Sequence, residues 1–575
     1  MTQMNPLRRS DAPHPGAGRR RAPPGAKGRR LDPADLAAVA ALIGPGPYRR
    51  DELIEHLHAI QDAEGSLRAG RLHALAELMR LPMVEVYEVA TFYERFDVIA
   101  DGQDAPPPVT IRVCESIACM IAGSDALTRA LQADAPPGVR VVKAPCIGAC
   151  DQAPAVEISE ATIARATPEK VALALARRDE APAPAYVDLE KAQAQGGYRV
   201  LRECLSGARA AENCITALSD GGLRGLGGAG FATGRKWSLV RAQPGPRLMA
   251  INADEGEPGT FKDRSILEKA PHAMLEGALI AAWAVEAKEV YIYLRDEYPL
   301  ARKILAQEIA ALEAAGLCAH ATFILRRGAG AYICGEESAM LESLEGKRAL
   351  PRQRPPYVAE RGLFGRPTLV NNVETLALVP EILAKGADWF ATHGVRGAKG
   401  FRSYSVSGRV RAPGVIRAPA GSTARELIER AGGMAQGHDF KAYLPGGASG
   451  GILPAALADE PLDFGRLDEF GCFVGSHALV VFSQADDMAA VARNLMRFFA
   501  HESCGQCTPC RVGAEKAAAL MTRQTWDRPL LEELSQAMAD ASICGLGQAA
   551  PNPLRSVMRF FPQEIGLPEE IGGAS

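Results

Sequence analysis

The sequence predicts an α/β multidomain protein, and three features of its 575 residues indicate this class. Apolar residues recur at helical spacing near both ends, strands and helices alternate in the middle, and two sets of four cysteines fall in separate segments. This length accommodates roughly three to five domains with separate cores. No apolar stretch approaches the roughly eighteen residues that a membrane span needs, so we expect no membrane contact.

Residues 1–30 are predicted to form a basic arm that is disordered in isolation. They carry eight Lys and Arg residues and one acid, Asp11, and they are rich in Pro and Gly without helical or strand periodicity. Docking on an acidic partner subunit and a merely solvated tail both fit this composition. Nothing else in the sequence supports nucleic-acid binding, so we expect no nucleic-acid partner.

Residues 31–105 are predicted to form a helical bundle, because apolar residues recur at three- and four-residue steps and a last helix is expected over 84–96. Residues 106–180 are predicted to form a small α/β domain. Its expected elements are the strand Val109–Val113, the helix Ser124–Ala133 and the strands Val139–Lys143 and Ala155–Ile158. Residues 181–220 are predicted to be a linker and a helix, with Asp179–Pro184 as the linker sequence.

Residues 221–400 are predicted to form a domain with a mostly parallel sheet, because strand and helix patterns alternate there. The expected elements are Arg247–Asn252, Ala278–Val285, Val290–Leu294, Leu300–Ala315, Thr322–Leu325 and Glu336–Leu344. Residues 401–485 are predicted to be a small β-rich module with short strands at Tyr404–Ser407, Gly414–Ile416 and Ala442–Leu444. Residues 486–575 are predicted to be helical again.

Eight of the 13 cysteines have the spacing of two iron–sulfur cluster sites. The first set has the pattern C-x4-C, 26 intervening residues and C-x3-C, and its members are Cys114, Cys119, Cys146 and Cys150. The second set has the pattern C-x2-C-x2-C followed by 33 intervening residues, and its members are Cys504, Cys507, Cys510 and Cys544. Structural zinc is the alternative for each set. The other five are predicted to be buried thiols without a metal, namely Cys204, Cys214, Cys318, Cys334 and Cys472.

A glycine loop at Gly225-Leu-Gly227-Gly228-Ala-Gly230 matches G-x-G-x-x-G, but no strand is expected immediately before it. We therefore predict a phosphate-binding loop that is not a standard dinucleotide fingerprint. Two predicted strands run into acidic residues set among glycines, Asp254 to Glu257 and Glu336 to Glu337. Clusters pass single electrons, and a flavin can convert between these and hydride transfer. The residues alone thus predict a flavin-containing electron-transfer protein.

Four motifs together resemble the NADH-oxidising module of respiratory complex I and its soluble relatives. They are Gly-Leu-Arg-Gly-Leu-Gly-Gly-Ala-Gly-Phe (222–231), Asn-Ala-Asp-Glu-Gly-Glu-Pro-Gly-Thr-Phe-Lys-Asp (252–263), Gly-Ala-Tyr-Ile-Cys-Gly-Glu-Glu (330–337) and Glu-Ser-Cys-Gly-Gln-Cys-Thr-Pro-Cys-Arg (502–511). The resemblance implies a thioredoxin-like [2Fe–2S] domain after the helical bundle. It further implies a Rossmann-like FMN/NAD domain, a ubiquitin-like β-rich domain and a C-terminal helical [4Fe–4S] bundle.

The resemblance also implies which residues bind the cofactors. FMN contacts are expected from Gly225, Gly227, Gly228, Lys236, Asn252, Asp254, Gly335, Glu336, Asn371, Asn372 and Thr375. NAD contacts are expected from Phe231, Glu255, Glu257, Tyr332, Glu337 and Tyr357. The reaction needs positioning and electrostatics rather than an acid–base pair, so no general base is assigned, and Glu255 and Glu337 are the candidates for any catalytic role.

Residues 31–180 resemble the subunit with the [2Fe–2S] domain, and residues 200–570 resemble the flavoprotein subunit. Fusion of both in one chain resembles the β-subunits of soluble NAD-dependent formate dehydrogenases and also the diaphorase subunits of NAD-reducing hydrogenases. The overall likeness, including Leu226 where the complex I flavoprotein has an arginine, is greatest to the formate dehydrogenase β-subunits. Cysteines that bind metal as thiolates indicate a reducing compartment, so a cytoplasmic location is expected. The resemblance implies a diaphorase that receives electrons at the [4Fe–4S] cluster and passes them through FMN, as hydride, to NAD⁺. The [2Fe–2S] cluster is expected to lie off this route. The implied partner is a molybdopterin or tungstopterin subunit that oxidises formate and carries further Fe–S clusters. An NAD-reducing hydrogenase and a complex I-type module are the alternatives.

Overall fold

The computed structural model describes residues 30–176 and 184–568. The basic arm, apart from Arg30, and most of the linker Asp179–Pro184 lie outside these residues. Within the described ranges, no helix combines the length and apolar character needed to cross a membrane.

Helices dominate the first segment, as predicted. They are α1 (Pro33–Ile43), α2 (Leu53–Glu64), α3 (Ala69–Met79) and α4 (Met83–Ala90), with a parallel pair of two-residue strands, β1 (Leu67–Arg68) and β2 (Val98–Ile99). The prediction of a helix to Phe96 was too long, because α4 ends at Ala90 and the chain turns toward β2.

A four-stranded sheet with flanking helices follows. Its elements are β3 (Val109–Cys114), α5 (Ile117–Ile121), α6 (Ser124–Ala133), β4 (Val139–Ala144), β5 (Val156–Ile158), β6 (Ala161–Ile163) and α7 (Pro168–Ala176). The strand order is β4-β3-β5-β6, with β3 parallel to β4 and antiparallel to β5. Helices pack on one side of this mixed sheet around Ile111 and Val113, whose side chains are buried.

The central segment contains a fully parallel sheet between helices. Its elements are α8 (Leu189–Ala194), α9 (Arg199–Leu205), α10 (Ala211–Gly221), α11 (Thr233–Arg241), β7 (Arg247–Ala253), α12 (Lys262–Lys269), α13 (Pro271–Val285), β8 (Ala287–Leu294), α14 (Pro299–Ala314), β9 (Thr322–Arg327), α15 (Glu337–Leu344), β10 (Thr368–Asn372), α16 (Val373–Lys385) and α17 (Ala387–Ala391). The strand order is β10-β7-β8-β9. The strand β10 was not predicted, and it adds to the sheet beside β7.

The β-rich segment forms a five-stranded mixed sheet. Its elements are β11 (Phe401–Gly408), β12 (Gly414–Pro419), α18 (Ala424–Arg430), β13 (Phe440–Leu444), β14 (Leu453–Pro454) and β15 (Ala478–Ser483). The order is β12-β11-β15-β13-β14, so the unpredicted strand β15 is the central one. The last segment is helical, with α19 (Met488–His501), α20 (Thr508–Leu520), α21 (Arg528–Ala541), α22 (Gly545–Ala549) and α23 (Asn552–Phe560).

Candidate functional site

The candidate site lies where the strand order of the central sheet reverses. The chain runs from β7 to β8 and β9 on one side and then returns as β10 on the other side of β7. Asn252 near the end of β7 is paired in register with Asn372 at the end of β10. Open parallel sheets bind ligands at the carboxyl ends of the strands at such a reversal. Both asparagines were assigned to FMN in the sequence analysis, and the register brings them together.

The glycine loop approaches this edge of the sheet. The helix α10 ends at Gly221, so a helix and a turn precede the loop, as predicted. The Leu226 N–H donates to Thr375 Oγ1 at 2.9 Å, although the Leu226 side chain is buried. A methyl group built at Gly227 would lie 3.3 Å from Asn372 Cβ, and Gly228 has a φ of +120°. Glycine at both positions therefore leaves an open backbone cradle that fits a phosphate.

Asp254 supplies a second observation that fits a bound group. Its Oδ2 atom is buried and has no hydrogen-bond partner in the described chain. Burial raises the pKa of the Asp254 carboxyl well above its ordinary value. The neighbouring Asn252 is fixed, since its Nδ2 donates to Gly335 O at 2.8 Å and its Oδ1 accepts from Asp254 N at 3.1 Å. A buried acceptor without a donor is costly, and a donor on bound FMN would satisfy it.

Charged side chains lie around the same end of the central sheet. Lys236 Nζ lies 3.2 Å from both Glu337 Oε2 and Val370 O. The Glu336 carboxylate caps the N-terminus of α15 through the N–H groups of residues 338 and 339, at 3.0 and 2.9 Å. Arg354 is paired with Glu336 and lies 3.7 Å from Glu337. The two acidic residues are thus held by cations, and both side chains remain partly exposed.

Two aromatic side chains predicted to contact NAD are exposed. Phe231 is 41% and Tyr357 is 56% exposed, which is unusual for side chains that could otherwise pack in a core. The Phe231 ring lies 5.9 Å from Lys236 Nζ, beside the pocket. Tyr357 follows Arg354 by three residues, and its backbone N–H donates to Glu360. Exposed rings of this kind suit stacking on an adenine.

Glu255 is placed differently from the other acidic residues. Its carboxylate is buried and accepts from Asp263 N at 2.8 Å, Arg264 N at 2.9 Å and Tyr298 Oη at 3.0 Å. Burial, together with the nearby Asp263 carboxylate, raises the pKa of Glu255 to about 7. The side chain therefore caps α12 from inside the protein, and its assignment to NAD remains a prediction.

The first four cysteines form a buried group. All four thiols are at most 2% exposed, and Cys146 Sγ lies 3.5 Å from Cys150 Sγ. The set fits a cluster that binds thiolates. Cys119 lies within α5.

The second four cysteines meet at the start of α20. Cys510 is buried, and Cys504, Cys507 and Cys544 are half-buried. A methyl group at Gly547, three residues after Cys544, would lie 2.8 Å from Cys510 Cβ and 2.5 Å from Ser542 Oγ. Glycine at 547 therefore lets the fourth cysteine approach the triplet, as a cuboidal cluster requires. The remaining cysteines are buried as predicted, except Cys318, which is half-buried.

Comparisons with known families agree with this division of the chain. The thioredoxin-like [2Fe–2S] ferredoxin family matches residues 39–178, and the Nuo51 FMN-binding domain matches residues 218–381. The SLBB domain matches residues 403–453, and the NADH-ubiquinone oxidoreductase-F iron–sulfur binding region matches residues 490–567. These matches confirm the predicted fold class and favour iron–sulfur clusters over zinc at both cysteine sets.

Two bacterial relatives are F-type subunits of NADH-quinone oxidoreductase. The chain is 43% identical to the second F-type subunit in Rhizobium meliloti, over 65% of its own length and 92% of the relative. It is 40% identical to the F-type subunit in Mycobacterium bovis, over 66% of its length and 88% of the relative. A crystal structure of NAD⁺-reducing [NiFe]-hydrogenase in the H2-reduced state contains a similar chain, with 33% identity and a TM-score of 0.79. This similarity covers 91% of the present chain and 94% of that one.

The fold and site define an iron–sulfur flavoprotein that oxidises NADH. The chain belongs to the family of F-type NADH-quinone oxidoreductase subunits, with a thioredoxin-like [2Fe–2S] region joined to it in one polypeptide. Its cofactors are FMN, a [2Fe–2S] cluster and a [4Fe–4S] cluster, as predicted, and NAD(H) is the nucleotide it uses. Its relatives are subunits of larger complexes.

One residue that joins the two cofactor regions was not found from the sequence. Arg295 is 6% exposed, and it donates from Nη1 to Glu255 O and from Nη2 to Cys146 O, both at 2.6 Å. It follows the strand β8 in Leu294-Arg295-Asp296-Glu297, where three consecutive charged residues are typical of an ordinary surface turn. The signal that could have found it is its position at the carboxyl end of a parallel strand next to β7.

Proposed function

We propose that this chain is the NAD-reducing diaphorase subunit of an NAD-dependent formate dehydrogenase. A partner chain would oxidise formate at a molybdopterin or tungstopterin centre, with further Fe–S clusters leading to this chain. Bound FMN supplies the exchange between hydride transfer at nicotinamide and single-electron transfer at clusters. The half-buried cysteines at residues 504, 507 and 544 support the [4Fe–4S] site as the point of electron exchange with the partner.

In this proposal the chain's own residues bind and orient the two nucleotides. The glycine loop and the N-terminus of α16, with Asn371, Asn372 and Thr375, would hold the FMN phosphate. Asp254 Oδ2 would accept a hydrogen bond from FMN, a role supported by its lack of any partner in the described chain. The ribose of NAD would lie near Glu257, whose carboxylate would repel a 2′-phosphate and favour NAD over NADP.

The observation that supports a soluble-type catalytic partner is the union of both modules in one polypeptide. The F-type relatives match only 65–66% of this chain, whereas the chain of the NAD⁺-reducing hydrogenase matches 91% of it. Formate is proposed as the donor on the overall resemblance, including Leu226. The similarity over 91% of the chain favours hydrogen as a second candidate, with the same chemistry on this subunit.

The identity of the partner chain would show whether formate or hydrogen is the electron donor. The test is anaerobic purification from native cells, visible spectra before and after NADH, and mass spectrometry of the co-purifying chains. Absorbance that bleaches with NADH, formate-dependent NAD⁺ reduction and a large molybdopterin-type chain would support the proposal. A nickel–iron pair with H2-dependent NAD⁺ reduction would assign the donor to hydrogen. A colourless protein containing zinc would contradict the whole assignment.

The role of the [4Fe–4S] site can be tested separately with Cys507→Ser. We expect the variant to keep FMN and to show flavin bleaching with NADH, but to lose electron exchange with the partner, because serine is a poor ligand for this cluster. Cys318→Ser is the matched control, since Cys318 is half-buried and outside both cysteine sets. A folded, FMN-loaded Cys507→Ser protein whose flavin no longer responds to NADH would refute this division of roles.

A further inference from the structure

The Glu257 carboxylate is held from two separate segments of the chain. On one side, the Tyr332 hydroxyl donates to Oε2. On the other side, Ser449 donates to Oε1 from its backbone N–H at 2.7 Å and from its hydroxyl at 2.6 Å. Ser449 lies in the β-rich segment, 192 residues after Glu257, in the short 3-10 turn Ala448–Gly450. A residue outside the FMN/NAD segment thus provides two of the three donors to this carboxylate.

The backbone around Ser449 is shaped for this contact. Gly447 has a φ of +82°, and a methyl group there would lie 2.6 Å from Glu257 Cγ. Any side chain at this position would therefore push Glu257 away. The positive φ is also a backbone conformation that glycine adopts without strain. From the other direction, Asn552 Nδ2 at the start of α23 donates to Ser449 O at 2.9 Å. The turn is fixed on both sides, so its two donors have a defined direction.

Tyr332 is also fixed, since its ring centroid lies 5.0 Å from that of Phe498 and its N–H donates to Glu502 Oε2 at 2.9 Å. Two donors on Oε1 and one on Oε2 leave the remaining acceptor capacity of Glu257 on Oε2. A carboxylate with one free acceptor direction can bind a ribose hydroxyl in a single geometry. Without the Ser449 donors, the carboxylate could rotate, and its ionised form would be less favourable.

We propose that Ser449 is a positioning residue of the NAD(H) site, which orients the Glu257 carboxylate toward the ribose of the nucleotide. The β-rich segment then completes the NAD(H) site instead of only packing beside it. This inference rests on the proposed function, because it takes Glu257 as a ribose-binding residue.

The test is calorimetric titration of the oxidised, FMN-loaded protein with NAD⁺, using four variants. Ser449→Ala removes one charge-assisted hydrogen bond, and we expect the dissociation constant for NAD⁺ to rise about tenfold. With NADH and an artificial acceptor, KM should rise while kcat and the FMN and iron contents stay within about twofold. Ser449→Thr keeps both donors and should restore the affinity for NAD⁺ to near the wild-type value.

The matched control is Ser476→Ala. Ser476 Oγ lies 2.6 Å from Thr260 Oγ1 and so links the same two segments, but it makes no hydrogen bond to Glu257. Equal weakening of NAD⁺ binding by Ser476→Ala and Ser449→Ala, or no rescue by Ser449→Thr, would overturn the inference, because segment docking alone would explain such results.

Glu257→Gln separates this inference from the proposed function. Weaker NAD⁺ binding in Glu257→Gln, with unchanged binding in Ser449→Ala, would overturn the positioning role of Ser449 and leave the role of Glu257 intact. Unchanged binding in both variants would overturn the assignment of Glu257 to the nucleotide, and the inference with it.

Discussion

Gly277→Ala tests how closely two helices must pack for the flavin site to form. Gly277 lies in the middle of α13, which is buried along almost its whole length and packs against α16. A methyl group at Gly277 would lie 2.0 Å from Leu376 O, 2.8 Å from Leu376 C and 3.3 Å from Leu376 Cα. These are backbone atoms of α16, so no side chain can rotate to relieve the contact.

The displacement can be estimated from these distances. Since Cβ atoms essentially never lie within 3.0 Å of such atoms, α16 must move by about 1 Å relative to α13. Overpacking of this kind costs about 1–3 kcal/mol, and the better helix propensity of alanine offsets about 1 kcal/mol of that cost. The same movement displaces Thr375, whose hydroxyl accepts from Leu226 N in the glycine loop. We therefore expect both a lower unfolding temperature and weaker FMN retention.

The assay is thermal unfolding of the purified holoprotein, together with the ratio of FMN to protein after gel filtration. Gly414→Ala is the matched control, because a methyl group at Gly414 would have no atom within 4 Å. An unfolding temperature and an FMN ratio for Gly277→Ala equal to those of the control would refute the reasoning. Reduced stability with full FMN retention would show that the site tolerates movement of α16.

Three further predictions concern the buried charges and the [4Fe–4S] turn. Arg295→Met removes a buried cation from the Cys146 carbonyl, so an EPR-monitored titration should give a lower [2Fe–2S] potential than in wild type; an unchanged potential would contradict this. The pKa of Glu255, raised to about 7, favours the neutral acid in the folded state, so this residue makes stability fall by up to about 1.4 kcal/mol per pH unit as pH rises from 4.5 to 7. Glu255→Gln lacks that slope, and wild type should lose unfolding temperature relative to it over this range, whereas parallel curves would contradict the assignment. Gly547→Ala should lower the iron content and the [4Fe–4S] EPR signal, while Gly545→Ala, with no atom within 4 Å, should not; equal iron in both would argue against steric closure of the turn.

Local sequence signals were sufficient for much of the fold. The strands β7, β8 and β9 are apolar runs followed by glycines or charges, and all three were predicted within a few residues of their observed ends. The cysteine spacing predicted both cluster sites because the four ligands of one cluster must approach closely, and short spacings satisfy this requirement. Such features depend on residues that are close together in the chain, so they can be predicted from a single sequence.

The parts that were missed depend on contacts between distant segments. The strand β10 has only five residues, of which two are asparagines, and it is identified by pairing with β7 more than 100 residues earlier. The sequence around Ser449, Gly446-Gly-Ala-Ser-Gly-Gly451, is typical of a flexible glycine-rich loop. Its contact with Glu257 depends on the fold, which brings together residues far apart in the chain. The central strand β15 was missed as well, although its run Ala-Leu-Val-Val-Phe is strongly apolar and was a readable signal.

The N-terminal segment contacts the flavoprotein region directly, at the turn formed by residues 328–330. His58 Nε2 lies 2.8 Å from Gly328 O, and the N–H groups of Glu94 and Arg95 donate to Gly330 O and Ala329 O, each at 3.1 Å. All three groups come from the N-terminal helical segment, and the turn leads directly to Tyr332 and the acidic pair after it.

These contacts bind the turn at residues 328–330 to the N-terminal helical segment. A methyl group at Gly330 would lie 2.8 Å from Arg95 Cγ, so the two surfaces fit closely. Arg95 is itself held by a buried, two-bond pair with Glu157 in the thioredoxin-like region, at 2.5 and 2.8 Å. Because the two regions are covalently linked, their association is intramolecular. The turn therefore keeps its hydrogen bonds from the N-terminal segment at any protein concentration. Fusion thus holds the turn before Tyr332 in place in addition to joining the two cofactor regions in one chain.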